Sequence, residues 1–185
     1  HITLPNLFFQ KALENSDKPF LWAKKNKEWK SLSWHETEVR VKQVAAGLKY
    51  HGIMPGDKII IVSENRPEWI ISDLAINTLN AITVPAYVTN TEDDHRYIIE
   101  HSDAKAVIVS DNIIANRIAL ALSKVNSCKL LITMDEYSGF MPEGLKVESY
   151  EKLTQIGEEN ISTALHNLNT IDKDCLLYTS PSPRD

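Results

Sequence analysis

Three runs of aliphatic residues constrain this chain more than anything else in it: KIIIVSEN at 58–65, KAVIVSD at 105–111 and CKLLITMD at 128–135. A strand that is apolar on every residue has no face to offer water, so it must be covered on both sides, as happens in parallel sheets. The segments between the runs supply the cover. Arg66-Pro67-Glu68-Trp69 reads as a helix start, with Pro67 in the first turn and Glu68 at the positive end of the helix dipole. AITVPAY at 81–87 is a further short strand, TEDDHRYIIEHS at 91–102 a helix capped by Thr91, and NIIANRIALALSKV at 112–125 another helix. Strands alternating with helices imply right-handed βαβ units, so the expected fold class is α/β, a mostly parallel sheet with helices on both faces.

Upstream, Leu4, Leu7, Phe8 and Leu13 recur at near-helical intervals and predict a short packed helix. PFLWAKK and EWKSLSW, separated by Asn26 and Lys27, predict a β-hairpin with Trp22, Trp29 and Trp34 as packing residues. Ser33 and Glu36 have capping-box spacing, and Val41, Val44, Ala45 and Leu48 form the apolar stripe of the helix that follows. Gly52 supplies its left-handed stop. From Glu136 to Asp174 the periodicity weakens: SGFMPEG reads as a loop, YEKLTQIGEEN as a modest helix and HNLNTIDKD as the approach to a last strand.

Charge narrows the partners. The net charge is −5, and phosphate backbones are bound by clustered Lys and Arg, so nucleic acid is not expected. Lys24, Lys25, Lys27 and Lys30 flank the hairpin turn, are broken by Glu28 and Trp29, and read as a solvated rim. Cys128 and Cys175 sit in apolar runs without metal or redox spacing, which suits buried thiols in a cytoplasmic protein. No stretch reaches the length of a membrane span, and no secretory leader is expected from the residues given; the chain begins at His1, so its natural start is expected to lie upstream.

An open parallel sheet binds ligands beyond the carboxyl ends of its strands. Those ends carry Ser63-Glu64-Asn65, Tyr87-Val88-Thr89-Asn90-Thr91, Ser110-Asp111-Asn112 and, after the last strand, Tyr178-Thr179-Ser180. None of the first three has the glycine-rich turn that a dinucleotide requires, so NAD is not expected. Asp93 and Asp94 read as dipole complements in a first helical turn. His95 and His101, six apart, do not share a helix face and predict no metal site. No serine sits in a nucleophile elbow. Hydroxyls such as those at 178–180 can bind phosphate oxygens, although a solvated Ser/Pro tail explains the same residues.

The order of segments from residue 51 to 111, HGIMPGD, SENRPEW, AITVPAYVTNT and HSDAKAVIV, closely resembles the amino-terminal region of the AMP-forming acyl-CoA synthetases, above all the long-chain fatty acid CoA ligases. CLLYTS falls where that family places its phosphate loop, usually written YTSGTTGxPKG. The resemblance is dense over 33–111, looser over 112–174, and resumes at 174–180. It implies that residues 1–180 are the amino-terminal part of an AMP-dependent ligase domain. It implies ATP, Mg²⁺ and coenzyme A as cofactors, a fatty acid as substrate, and Tyr178, Thr179 and Ser180 as phosphate-binding residues, with Ser182 where a second hydroxyl belongs. Peripheral attachment to a membrane is implied on the same ground.

The departures are equally specific. Pro181 and Pro183 stand for a glycine and a threonine, and Arg184 for a second glycine. Each proline lacks an N–H and fixes φ near −65°, so the usual cradle of amides does not form. Residues 181–185 are therefore expected to be a non-native or divergent tail, and the chain alone is expected to be inactive. A sheet ending at Leu177 exposes an apolar edge, so poor solubility is expected as well. Two rival readings stay open: an adenylating enzyme that loads a carrier protein or oxidises its adenylate, and a non-catalytic α/β binding module.

Overall fold

The computed structural model describes residues 3–164. In chain order the elements are α1 (Leu4–Asn15), β1 (Pro19–Lys25), β2 (Glu28–Ser33), α2 (Trp34–Tyr50), β3 (Lys58–Val62), α3 (Pro67–Thr78), β4 (Ile82–Ala86), α4 (Glu92–Ser102), β5 (Ala106–Val109), α5 (Asn112–Ser123), β6 (Leu130–Thr133), β7 (Lys146–Ser149) and α6 (Tyr150–Ala164). They fall into two units. The first holds α1, the hairpin, α2, α3 and α6 from Leu153 on; the second holds Gly56–Glu64 and Ala81–Lys152, and with them all of the parallel strands.

In the first unit, α1 is capped by the Thr3 hydroxyl, which accepts from the Asn6 N–H at 3.3 Å. Its packed stripe is Pro5, Phe8 and Ala12, not the expected leucines: Leu4, Leu7 and Leu13 are exposed. Phe8 sets the rotation by meeting Phe20 and Trp34, and Leu13 then lies about 140° round the helix from it. The hairpin is closed by Asn26 and Lys27 at φ 53° and 68°, the paired left-handed residues of a type I′ turn. Trp34 stacks on Phe20 with ring centroids 3.8 Å apart, as a packing residue should. Trp22 and Trp29 do not: they are 55% and 66% exposed, on the face of the hairpin they share with Lys24 and Ser31, whereas Leu21 and Ala23 on the other face of β1 are half-buried.

The Ser33 capping box forms as its spacing predicts. The Glu36 N–H donates to the Ser33 hydroxyl at 3.1 Å and the Ser33 N–H to the Glu36 carboxylate at 2.7 Å. That backbone bond holds the Glu36 carboxyl below its usual range. Val41, Val44, Ala45 and Leu48 are fully buried, and Gly52 takes the left-handed stop at φ 86°. Two glycines let α2 and α6 touch along their backbones. A Cβ on Gly47 would strike the Leu153 carbonyl, and one on Gly157 would strike the carbonyl of Gln43.

The second unit is a five-stranded parallel sheet in the order β4-β3-β5-β6-β7, flanked by helices as an α/β fold requires. Side chains alternate between its faces with period two. Ile60, Val62, Val107, Val109 and Leu131 pack with Ile99 of α4 and with Ile114, Ile118 and Leu122 of α5. Their neighbours Ile59, Ile61, Ile108 and Ile132 point the other way and are also fully buried, which is why the runs are apolar throughout. One strand escaped the sequence reading. β7 adds to β6 with Lys146 opposite Leu130, but as an edge strand it needs little apolar content and KVES shows none of the usual pattern. Cys128 is buried, its Sγ 3.9 Å from the Leu130 carbonyl, and burial pushes its thiol up to about 11. Among the described residues no helix is long and apolar enough to cross a membrane.

Candidate functional site: the carboxyl ends of the parallel strands

β3 comes first in the chain of the five strands yet lies between β4 and β5, so successive connections depart from it in opposite directions. Strand order reverses there, and the crevice between the carboxyl ends of β3 and β5 is where such a sheet offers a ligand site. The residues leaving those ends are Ser63-Glu64 and Ser110-Asp111, with Met134-Asp135 leaving β6. The ladder runs on past the strands: the Ser110 N–H donates to the Val62 carbonyl at 3.1 Å, and the Asp135 N–H to the Ser110 carbonyl at 3.0 Å.

Side chains tie the rim together. The buried Ser110 hydroxyl donates to the Glu64 carboxylate at 2.7 Å, bridging the two strand ends by a charge-assisted bond. Ser63 donates to the Glu64 carbonyl at 2.8 Å. Asp111 caps α5, its Oδ1 accepting from the N–H groups of Ile113 and Ile114 at 2.8 and 2.9 Å. These groups are spent on structure: the hydroxyls are bound to a carboxylate or a carbonyl, and neither loop contains a glycine. Asp111→Ala should therefore cost about 1 kcal/mol of stability, read from a urea unfolding curve, as the loss of an N-cap does elsewhere.

The loop after β4 is held by a residue that spacing did not reveal. Arg117 of α5 donates through Nη1 to the carbonyls of Val88 and Asn90, at 2.9 and 2.8 Å. Thr91 and Asp94 form a second capping box, in which the Thr91 hydroxyl and N–H both donate to Asp94 and hold its carboxyl below the usual range. Tyr87 projects into solvent. His95 is 1% exposed beside Arg117, and its Nε2 finds no hydrogen-bond partner among the described residues. Burial, then the Arg117 charge, pushes its imidazole down to about 4. His101 instead lies against the exposed Tyr97 ring, with centroids 5.4 Å apart, so the two histidines do not converge.

The loop after β6 is fastened to α5 in the same manner. Tyr137 donates its hydroxyl to the Phe140 carbonyl at 2.6 Å, and Asn116 Oδ1 accepts from the Phe140 N–H at 3.1 Å. Asn116 and Arg117, adjacent on α5, thus secure both neighbouring loops; only an N-x-x-x-N-R pattern at 112–117 hinted at it. Among the described residues no three His, Cys, Asp or Glu side chains are gathered to hold a metal ion. Tyr178, Thr179, Ser180 and Ser182, together with Cys175 and the last strand, lie outside the described residues.

Among the described residues the rim is a scaffold of capped and hydrogen-bonded loops, and the chain that carries it is similar to known proteins along most of its length. The sequence profile described as AMP-binding enzyme matches residues 8–181. The Mycobacterium tuberculosis long-chain-fatty-acid–CoA ligase FadD15 is 27% identical over 156 residues, 82% of this chain and 25% of that protein. Human long-chain-fatty-acid–CoA ligase 6 is 32% identical over 155 residues, 77% of this chain and 22% of its own length. Among solved structures, the adenylation domain of a carboxylate reductase from Mycobacterium chelonae superposes with a TM-score of 0.72 at 16% identity, covering 85% of this chain and 29% of that one. A benzoate CoA ligase from Burkholderia xenovorans gives 0.69 at 21%, covering 84% and 28%. The chain spans about a quarter of the length of these relatives. Matched along nearly all of its length by one profile, and sharing its fold with solved adenylate-forming enzymes, the chain belongs to the AMP-binding enzyme family.

Proposed function

We propose that this chain is the amino-terminal part of a long-chain fatty acid CoA ligase. The observation that carries the reading is the agreement between a family profile over residues 8–181 and curated relatives named as long-chain-fatty-acid–CoA ligases. In the proposed reaction a fatty acid carboxylate attacks the α-phosphorus of ATP. The new bond joins carboxylate oxygen to phosphorus, the bond to the β-phosphate oxygen breaks, and pyrophosphate leaves. The thiol of coenzyme A, giving up its proton, then attacks the acyl carbon; a thioester forms and AMP departs. Holding a triphosphate in line with a carboxylate is positioning and charge stabilisation, and rigid strand ends suit that task.

In this reading Tyr178, Thr179 and Ser180 supply hydroxyls to the phosphates. The Mg²⁺ that the reaction class implies finds no ligand set in residues 3–164, so no step is derived through it. Residues 1–185 on their own are inactive, because Pro181 and Pro183 bring no N–H to the phosphates. The test is pyrophosphate release from the protein encoded by the whole gene, with ATP, CoA and either palmitate or benzoate. Release with palmitate and formation of palmitoyl-CoA is the expected result. Preference for benzoate, or a thioester formed only on a carrier protein, would replace the long-chain reading, and no release with any acid would replace adenylation itself. Residues 1–185 assayed alone should give only the blank rate.

A further inference from the structure

The β1–β2 hairpin shows water what a protein ordinarily hides. In its register Trp22 faces Ser31 and Lys24 faces Trp29, so Trp22, Lys24, Trp29 and Ser31 share one face, with the two exposed indoles as diagonal neighbours. Lys24, Lys25, Lys27 and Lys30 are exposed around the same tip, opposed within it by Glu28 alone, in a chain whose net charge is −5. Among the described residues none of these four lysines makes an ion pair. A pocket of about 230 Å³ opens beside Trp22, and Leu21, Pro67, Trp69 and Ile70 give it apolar walls.

We propose that this hairpin is a docking surface for an anionic lipid bilayer. Charge complementarity selects the occupant. Lysine is depleted where protein meets protein, so a hairpin tip that sets Lys24 among the two indoles, Lys27 in the turn and Lys25 and Lys30 on the opposite face is a poor protein interface. At a bilayer both residues are at home: the indole settles at headgroup depth, and lysine buries its stem while its ammonium meets lipid phosphate. The type I′ turn fixes the tip in advance, which spares ordering entropy on contact. A single-stranded nucleic acid would use the same charges, but it needs a basic groove several nucleotides long, and four lysines at one two-residue turn do not make one. The contact is peripheral and requires neither ATP nor an acyl substrate, so it stands or falls apart from the ligase reading.

Co-sedimentation of the full chain with vesicles tests it, using phosphatidylcholine alone and equimolar phosphatidylcholine and phosphatidylglycerol. Binding to the anionic vesicles, weakened by salt and accompanied by a blue shift of tryptophan emission, is expected; neutral vesicles should bind little. Lys24→Gln and Lys30→Gln should each lower partitioning about fivefold. The double variant Trp22→Ser, Trp29→Ser should lower it roughly tenfold or more and abolish most of the blue shift. All four positions are exposed, and an unchanged circular dichroism spectrum confirms that the variants fold. Equal binding to both vesicle types, no binding to either, undiminished binding by the variants, or displacement from vesicles by a single-stranded oligonucleotide would each overturn the proposal.

Discussion

Gly157→Ala destabilises the chain, although by helix propensity alone it should do the reverse. Alanine in place of a mid-helix glycine ordinarily gains about 1 kcal/mol. Here the added Cβ meets the Gln43 carbonyl carbon and oxygen, which are backbone atoms of α2 and cannot swing aside. Either the helices separate, losing contact around Leu153, or the backbone of one of them bends. Overpacking of this kind costs about 1–3 kcal/mol, and contact with backbone places it at the upper end. The net effect expected in a urea titration is a loss of roughly 2 kcal/mol, with Gly157→Val losing more. A gain in stability for Gly157→Ala would show that α6 does not cross α2 as closely as described.

Acid weakens the second unit through His95. Its folded pKa of about 4 lies below the value near 6.5 of an unfolded histidine, so between these limits the unfolded chain binds the extra proton. Stability is complete above pH 6.5, falls as pH drops from there, and by pH 4 has lost about 3 kcal/mol from this one group. Arg117 and Asp94 are the charges that face the ring; Arg117 opposes the imidazolium and Asp94 favours it less strongly. His95→Phe keeps the ring and removes the titration, so its stability should be flat from pH 6.5 to 5, where the wild type slopes. Below pH 5 both proteins lose stability as Glu36 and Asp94 are protonated, because their depressed folded values mean that the native state prefers them charged. Equal slopes above pH 5 would contradict the burial of His95.

What could be read from the sequence were the features whose cause is local. Aliphatic runs demand two covered faces, and they marked β3, β5 and β6; Ser33 with Glu36, Thr91 with Asp94, and Gly52 fix helix ends within four residues of themselves. What could not be read depended on distant partners. β7 is a strand only because β6 offers it an edge, and Arg117 matters only because folding brings it to carbonyls at 88 and 90. Trp22 and Trp29 misled because aromatic alternation looks the same whether a helix covers it or water does. The candidate phosphate hydroxyls, Tyr178 to Ser180, rest on resemblance rather than on geometry.

The placement of β3 between β4 and β5 also sets a timetable for synthesis. Ile59 pairs with Thr83 on one side and with Ala106 on the other, so the second pairing waits until residue 106 has left the ribosome. At ordinary elongation rates that interval lasts roughly two to ten seconds. During it the segment KIIIV has one flank unclaimed, a ready template for another nascent chain. Slowing translation between codons 62 and 105 should therefore raise the demand for chaperones more than an equal delay placed after residue 133.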